Sequence, residues 1–299
     1  MLNIIKYYKF WFIVSGLLLV AGIASLVTFG LKLGIDFKGG TITQIQFTKD
    51  RPSVNDLQSV LHENNFNDAQ VQPAGAKSYV IRTGPQEEAD HDKLMKAVSD
   101  KFGAVNQEEY SSIGPIIGKE LRSQAFVMLT LVSLAIIFYI AYAFRKVSKP
   151  VSSWRFGVSA IVALLHDLFI VMGAFSLLGH YKGIEIDSLF VTALLTVLGF
   201  SVHDTIVVFD RIRENLRVRA GASLSDIVNN SINQTLVRSI NTSLTVVFVL
   251  LTLLLFGGES IHNFILALLI GIIAGTYSSI FIASPILIVW HKWDLRKSR

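Results

Sequence analysis

Two charged side chains border apolar stretches of this chain and are of types that could carry an ion. Asp204 lies near the end of the apolar stretch 188–209, and Arg238 immediately precedes the next one, 239–256. An ionised carboxylate inside a membrane-spanning segment costs about 2.5 to 3.5 kcal/mol, so a compensating group is expected. If both stretches are helices, Asp204 and Arg238 fall at the same end of neighbouring spans. We therefore predict that they pair as a proton-coupling site.

The proton affinity of such an acid is set by opposing effects. Apolar surroundings disfavour the carboxylate, whereas a nearby arginine stabilises it, so a small motion that changes the balance can make Asp204 take up or release a proton. A structural interpretation is also open. Arg238 can extend to the membrane boundary, and Asp204 can cap a helix end.

Three further titratable residues lie in the apolar stretches. His203 precedes Asp204, and helical geometry turns it about 100° away, so it is either a proton relay or a structural histidine. His166 and Asp167 lie near the middle of the stretch 156–178, where Asp167 must be protonated or paired. Asp167 is expected either to hydrogen-bond to another helix or to join His166 in a secondary proton path.

Two glycine-rich turns flank the polar part of the chain. Gly39 and Gly40 end a segment that lacks the spacing and the terminal Lys-Ser/Thr of a phosphate loop, so they are predicted to form a turn into a strand. Gly114, Pro115 and Gly118 are predicted to form a hinge or a plain turn before the second apolar stretch.

Classes of enzyme chemistry are not indicated. The sequence holds no nucleophile triad, metal-ligand spacing or cofactor fingerprint. Cysteine is absent, which excludes disulfides and thiolate chemistry. We therefore expect a protein that is not an enzyme, with no catalytic residues, metal site or cofactor.

The elements that must position these residues are membrane helices. The chain has 299 residues, of which 52% are hydrophobic and 16% charged, and its mean hydropathy is +0.52. These values are far from those of a soluble domain. Six stretches can each cross about 30 Å of hydrocarbon as a helix, the first as an uncleaved anchor rather than a secretory signal: 10–29, 125–144, 156–178, 188–209, 239–256 and 264–290.

Basic residues orient these spans. They cluster in alternate connections and after the sixth span, whereas the two short connections on the other side hold only Lys182. This bias predicts that both termini are cytoplasmic, and the formal charge of +5 indicates contact with anionic membrane lipids rather than nucleic acid. The clusters are Arg145, Lys146, Lys149 and Arg155, then Arg211, Arg213, Arg217 and Arg219, and finally Lys292, Arg296, Lys297 and Arg299.

The predicted organisation has three parts: residues 1–31 with the first span, an extracytoplasmic domain at 32–123, and five spans at 124–299 with a cytoplasmic loop at 210–237 and a cytoplasmic tail. The pattern of strands and helices in 32–123 is βαββαβ, which is that of the ferredoxin-like α+β fold. Within the cytoplasmic loop, Ser223 is predicted to cap a helix through Ile232, at the membrane surface or against the bundle.

Small residues and one proline occur within the apolar stretches. The small residues are expected to allow close helix contacts, and Pro285 to kink the sixth span. They are Gly157, Ser159, Gly173, Gly199, Ser201, Gly271, Gly275, Ser278 and Ser279.

At these residues the chain resembles the SecF branch of the SecD/SecF family, whose paired membrane subunits assist the Sec protein-export channel. The resemblance spans the whole chain, and its most specific block is 199–215. It rests on Gly-Ile-Asp-Phe-Lys-Gly-Gly at 34–40, Gly-Pro-Ile-Ile-Gly-Lys-Glu-Leu at 114–121, His-Asp at 166–167, the block ending Val-Val-Phe-Asp-Arg-Ile-Arg-Glu-Asn at 215, and Gln-Thr-Leu-Val-Arg at 234–238.

The resemblance implies an auxiliary subunit of the Sec translocase in the cytoplasmic membrane of a prokaryote, forming half of an efflux-pump-like unit of twelve helices. It implies use of proton or sodium flow to assist late steps of export, with a SecD-like subunit, a SecYEG-like channel and the translocating polypeptide as partners. The family's acid falls on Asp204 and its arginine on Arg238. His203 departs from the common Asn. An exporter of small molecules or lipids and a membrane scaffold without pumping remain alternatives.

Overall fold

The structure, a computed structural model, describes residues 2–145, 152–218 and 221–297, and divides into two compact units. One unit comprises Met1–Lys32 with Val127–Arg299, and the other comprises Leu33–Phe126. Four of the basic residues used above to orient the chain lie outside the described ranges: Lys146, Lys149, Arg219 and Arg299.

The elements follow one another in a simple order. The smaller unit holds the short helix α2, four strands and two helices, and the larger unit holds long helices. In chain order they are α1 (Tyr8–Phe29), α2 (Ile35–Lys38), β1 (Gly40–Phe47), α3 (Val54–Glu63), β2 (Gln70–Ala74), β3 (Ser78–Thr83), α4 (Glu88–Phe102), β4 (Val105–Ile113), α5 (Pro115–Ala143), α6 (Ser153–Lys182), α7 (Ser188–Val218), α8 (Leu224–Phe256), α9 (His262–Ser278) and α10 (Ser284–Lys297).

The smaller unit has the ferredoxin-like topology that the sequence predicts. Its antiparallel sheet has the order β2-β3-β1-β4. Ser53 caps α3, as predicted, because its side chain accepts a hydrogen bond from the backbone N–H of Asp56. Apolar residues from strands and helices form one core, which includes Ile45, Leu57, Tyr79, Ile81 and Leu94.

The two glycine-rich turns pack against each other within this unit. Gly39 adopts a φ of +79°, and a Cβ at this position would lie 2.8 Å from the Cα of Pro115. A Cβ at Gly118 would lie 2.8 Å from the backbone nitrogen of Gly39. Because a side chain at either position would collide with backbone, this close approach requires glycine at both.

Within the described ranges, six helical spans are long and apolar enough to cross a membrane, which confirms the predicted number. Their ends extend beyond the predicted stretches. The sequence predicted a separate helix from Ser223 to Ile232, and this was wrong: α8 runs without a break from Leu224 to Phe256. The sequence of α8 contains no glycine or proline that would end a helix between its polar and apolar parts. Ser223 is its N-cap, as predicted.

The sixth span is interrupted rather than simply kinked. A π-helical segment, Ser279–Ala283, joins α9 to α10. Pro285 follows it, and because proline lacks an N–H and its ring crowds the carbonyl four residues earlier, regular α-helical bonding cannot continue through this point. The Ser284 hydroxyl donates to the carbonyl oxygen of Ser279 at 3.1 Å and satisfies a backbone acceptor in the irregular turn.

Small residues bring the helices close together at some of the expected positions, but the expectation was wrong for Gly157 and Gly199, where an added Cβ would meet no atom within 4 Å. A Cβ at Gly173 on α6 would lie 2.4 Å from the Cα of Gly22 on α1. A Cβ at Gly275 on α9 would lie 2.9 Å from the Cβ of Ser201 on α7. The second contact matters for function, because it places the backbone of α9 directly against the part of α7 that precedes Asp204.

Candidate functional site

Asp167 forms the centre of a buried polar cluster between α6, α7 and the end of α9. Asp167 is fully buried, with 0% of its surface exposed. Oδ2 accepts hydrogen bonds from the Ser201 hydroxyl at 2.5 Å and the Ser278 hydroxyl at 2.8 Å. Oδ1 lies 2.9 Å from Nδ1 of His166, which can donate to it. Three polar contacts therefore compensate the burial of this acid, and the predicted contact with another helix is present.

His166 is also buried, and one of its ring nitrogens has no hydrogen-bond partner. Nδ1 faces Asp167, whereas Nε2 has no partner in the part of the chain that the structure describes. The ring lies 6.2 Å from that of Tyr277, measured between centroids. The Tyr277 hydroxyl accepts from the Ser15 hydroxyl and donates to the carbonyl oxygen of Trp11, both at 3.1 Å, which links α9 to α1.

Asp204 is buried too, but it is much less well hydrogen-bonded. Its residue surface is 5% exposed, and its Oδ2 accepts one bond, 3.4 Å long, from the Ser279 hydroxyl. Ser239 on α8 brings a second buried hydroxyl towards Asp204, without the geometry of a hydrogen bond. An ionised carboxylate can accept about four bonds, so Asp204 keeps unused capacity for a proton, a cation or another donor.

The predicted ion pair between Asp204 and Arg238 is not formed in this structure. Arg238 is exposed, and among the described residues it makes no salt bridge with Asp204. The reason lies in helix geometry. Successive residues are turned by about 100°, and Ser239 faces inwards on α8, so Arg238 faces outwards. Position along the chain placed Arg238 at the correct end of α8, and the rotation of the helix turns its side chain outwards in this structure.

His203 lies on the outer side of α7. It is exposed, whereas both of its neighbours, Val202 and Asp204, are buried. The structure thus brings Asp167, His166 and Asp204 to the interior of the bundle and leaves His203 and Arg238 outside it. Among the described ranges no group of three or more His, Cys, Asp or Glu side chains could hold a metal ion.

The roles of three hydroxyls were not predicted from the sequence. Ser201, Ser278 and Ser279 were expected only to allow close packing, yet each donates to one of the two acids. A usable signal was present: a polar pair at 278–279 in the middle of an apolar span must find hydrogen-bond acceptors.

Two family models match the chain. The model described as protein export membrane protein SecD/SecF, C-terminal, matches residues 93–293, and the model described as SecD/SecF GG motif matches residues 24–50. The first range contains both buried acids and Arg238, and the second contains Gly39 and Gly40. The matched segments therefore include all the site residues and turn residues that the sequence predicted.

Individual relatives match over nearly the whole chain. A protein translocase subunit SecF from Thermobaculum terrenum is 48% identical over 309 residues, which covers 98% of this chain and 95% of the relative. A protein translocase subunit SecDF from Bacillus subtilis is 37% identical over 300 residues, which covers 97% of this chain and 38% of the relative.

Solved structures agree with these matches. The crystal structure of SecDF from Thermus thermophilus, titled a translocon-associated membrane protein, superposes with a TM-score of 0.84 at 33% identity and 97% coverage of this chain. A SecDF structure in a super-membrane-facing form gives a TM-score of 0.71 at 31% identity and 99% coverage of this chain. The chain spans 39% and 40% of these two longer proteins.

Proposed function

Because the chain belongs to the SecD/SecF family of protein export membrane proteins, in which its relatives are SecF subunits of the protein translocase, we propose that it uses proton or sodium flow to assist the late steps of polypeptide export. The subunit works by ion binding and movement rather than by catalysing a chemical reaction. It is a multi-pass protein of a prokaryotic cytoplasmic membrane, with both termini in the cytoplasm.

The observation that carries this proposal is the burial of Asp204 without a counter-charge. It lies on a membrane helix, and its hydrogen bonding in the described part of the chain amounts to one long bond from Ser279. Ionisable residues inside membrane spans mark ion or proton pathways by default. Unused acceptor capacity supports reversible binding of a proton at this position.

Arg238 remains the proposed counter-charge in a second arrangement. Ser239 now faces Asp204 across the contact between α7 and α8, and Arg238 is its immediate neighbour. Rotation of α8 by one residue step, about 100°, would exchange the two. Pairing and separation of Asp204 and Arg238 would then accompany proton release and uptake.

Asp167 and His166 are proposed to form a second proton-binding site on the same path. The unpartnered Nε2 of His166 is a position where a second proton can bind, while Asp167 holds the ring through Nδ1. The exposed His203 is proposed to influence the pH response of Asp204 from outside the bundle.

The available energy suffices for such a mechanism. One elementary charge that crosses a potential of about 100 mV releases about 2.3 kcal/mol. That free energy biases a two-state equilibrium by roughly fifty-fold. We propose that the extracytoplasmic unit, with its turns at Gly39, Gly40, Gly114, Pro115 and Gly118 as scaffold or hinge, uses this bias to act on the polypeptide that leaves a SecYEG-like channel.

A polar stripe on α8 supports a SecD-like partner. Four exposed residues recur at spacings of three or four and so share one helix face: Gln234, Arg238, Asn241 and Thr245. The exposed Thr242 lies four residues after Arg238, on the same face. A face with an arginine and an asparagine is costly against lipid tails. The Bacillus subtilis SecDF relative carries a homologous segment within a longer chain. We propose that a SecD-like subunit covers this stripe and supplies an acid to Arg238.

Cysteine cross-linking tests whether a partner covers the polar stripe on α8. Because the sequence contains no cysteine, an introduced cysteine is the only thiol of the chain. Thr242→Cys is expected to form disulfides with single cysteines in a SecD-like partner at several times the yield of Leu17→Cys, an exposed position on α1 that is 67% exposed. Yields are read from non-reducing gels of membranes that contain both subunits. Equal yields, or a higher yield from Leu17→Cys, would place the partner elsewhere.

The proposed function is tested by reconstitution. Vesicles with a SecYEG-like channel and a SecD-like subunit are prepared with and without this chain, and preprotein is trapped halfway across. An imposed proton or sodium gradient is expected to speed completion severalfold only when the chain is present. An equal gradient effect without the chain favours a scaffold, whereas gradient-dependent movement of a small dye without preprotein favours an exporter.

A further inference from the structure

Ser278 and Ser279 are consecutive residues, yet their hydroxyls bond to different acids. Ser278 donates to Oδ2 of Asp167 at 2.8 Å, and Ser279 donates to Oδ2 of Asp204 at 3.4 Å. Both serines are 0% exposed. The acids belong to separate helices, α6 and α7, so a single backbone step of the sixth span connects them.

The connecting step lies where the helix changes its geometry. Ser278 ends α9, and Ser279 opens the π-helical segment that precedes Pro285. Single π turns interrupt the regular bonding ladder and occur frequently at functional sites. The N–H of Ser279 still donates to the carbonyl oxygen of Gly275, so regular α-helical bonding reaches this step and gives way to the π-helical segment directly after it. A turn of this step about the helix axis can therefore be taken up by the adjoining π-helical segment.

The two hydrogen bonds are unequal, which indicates how such a turn would act. The bond to Asp167 is short, whereas the bond to Asp204 is long, because the Ser279 hydroxyl also lies 3.0 Å from the carbonyl oxygen of Thr276 and divides its one hydrogen between two acceptors. The two hydroxyls project from adjacent residues in directions about 100° apart, towards different helices. A rotation that brings Ser279 nearer to Asp204 therefore draws Ser278 away from Asp167, and the reverse rotation does the opposite.

Among the side chains that the structure describes, few other polar groups face this step. On α6, His166 contacts Asp167; on α9, Tyr277 lies beside His166; and on α7, His203 is exposed next to Asp204. From α8 the facing group is the hydroxyl of Ser239, with the exposed Arg238 behind it. Ser201 joins Asp167 to α7, the helix of Asp204, but the Ser278–Ser279 step brings one hydroxyl to each acid.

We propose that the Ser278–Ser279 step couples the two acids, so that a proton on one favours the ionised form of the other. This inference rests on the proposed ion exchange at Asp204 and names two positioning residues for it. A protonated carboxyl is a weaker acceptor than a carboxylate. When Asp204 binds a proton, its hydrogen bond from Ser279 weakens, and the Ser278–Ser279 segment turns towards Asp167. The hydrogen bond from Ser278 then becomes stronger and stabilises the carboxylate of Asp167. The proton thereby passes between two alternative sites rather than filling both.

The test measures proton binding by each acid in the full chain in lipid nanodiscs, with no gradient and no preprotein. Infrared titration follows the carbonyl band of protonated Asp, and the Asp167→Asn and Asp204→Asn variants assign the bands. Asp204→Asn is expected to lower the proton affinity of Asp167 about tenfold, and Asp167→Asn to lower that of Asp204 by the same factor, because coupling between two sites is reciprocal.

Serine variants separate coupling through the hydroxyls from direct repulsion between the acids. Ser279→Ala is expected to reduce the mutual effect to less than threefold, and Ser278→Ala to do the same, so either variant alone suffices if the other does not fold. Ser243→Ala is the matched control, since it removes another buried hydroxyl, which lies 2.6 Å from the Thr276 hydroxyl, and should leave the tenfold effect intact.

The outcomes separate this inference from the proposed function. A tenfold effect that survives in both serine variants overturns the coupling step, because repulsion through space would then explain it. Independent titration of the acids overturns it as well, even if Asp204→Asn abolishes gradient-dependent transport. If the coupling is found but transport ignores the gradient, the proposed function fails and the coupling stands.

Discussion

Asp204→Asn is expected to remove nearly all of the gradient-dependent part of preprotein transport, a loss of tenfold or more. Asparagine has almost the same shape as aspartate but can neither bind a proton at neutral pH nor carry a charge. One charge that crosses a potential of about 100 mV can shift a two-state equilibrium by up to about fifty-fold, and this contribution disappears with the charge. The measurement is the rate at which trapped preprotein completes transport, with and without the imposed gradient.

The control for this variant is Asp210→Asn on the same helix. Asp210 is exposed and lies 3.0 Å from Arg213, so its neutralisation breaks only a surface ion pair and should leave the gradient response unchanged. The amount of folded Asp204→Asn protein should equal that of the parent, because the side chain accepts a single long bond. A normal gradient response in Asp204→Asn would end the assignment of Asp204 as the coupling acid.

Asp167→Ala is expected to destabilise the larger unit by about 3 kcal/mol, near the lower end of the range for a broken buried charged contact. The variant removes the acceptor of three groups, His166, Ser201 and Ser278, and leaves a cavity. The loss is not larger because the Ser278 hydroxyl also lies 3.1 Å from the carbonyl oxygen of Gly275 and can keep that bond. Unfolding in lipid–detergent mixtures, titrated with denaturing detergent, measures the change.

Two comparison variants define the origin of this loss. Asp167→Asn keeps the shape and one carbonyl acceptor, so it should retain more than half of the stability that alanine loses. Asp90→Ala removes an exposed acid of the smaller unit, which pairs with Lys93 at 3.0 Å, and should change stability by less than about 0.5 kcal/mol. Equal unfolding of Asp167→Ala and the parent would contradict the view that Asp167 holds the three helices together.

Two local patterns were enough to predict most of the architecture. Apolar runs of sufficient length gave the six spans, and the alternation of strand and helix signals gave the ferredoxin-like unit. Ser53 and Ser223 were predicted as helix caps because the requirement for a side-chain acceptor at that position depends only on neighbouring residues. The break of the sixth span was visible as Pro285, although its π-helical form was not.

Asp204 and Arg238 are not paired in this structure for a physical reason that concerns single residues. Arg238 and Ser239 are equally suited by position along the chain, and only the rotation of α8 about its axis decides which of them faces Asp204. In the structure it is the serine. The contacts of Ser201 and Ser278 with Asp167 also depend on helix packing rather than on position along the chain, because Gly275 lets α9 approach α7.

The amino-acid sequence by itself determined that this protein has membrane helices, that two acids lie within them and that these acids need compensation, because hydropathy and helical period are properties of short segments. The tertiary structure alone decided what provides the compensation: hydroxyls of Ser201, Ser278 and Ser279 in place of an arginine. Side-chain partners between helices depend on rotation and axial offset, which are fixed by the packing of residues far apart in the chain.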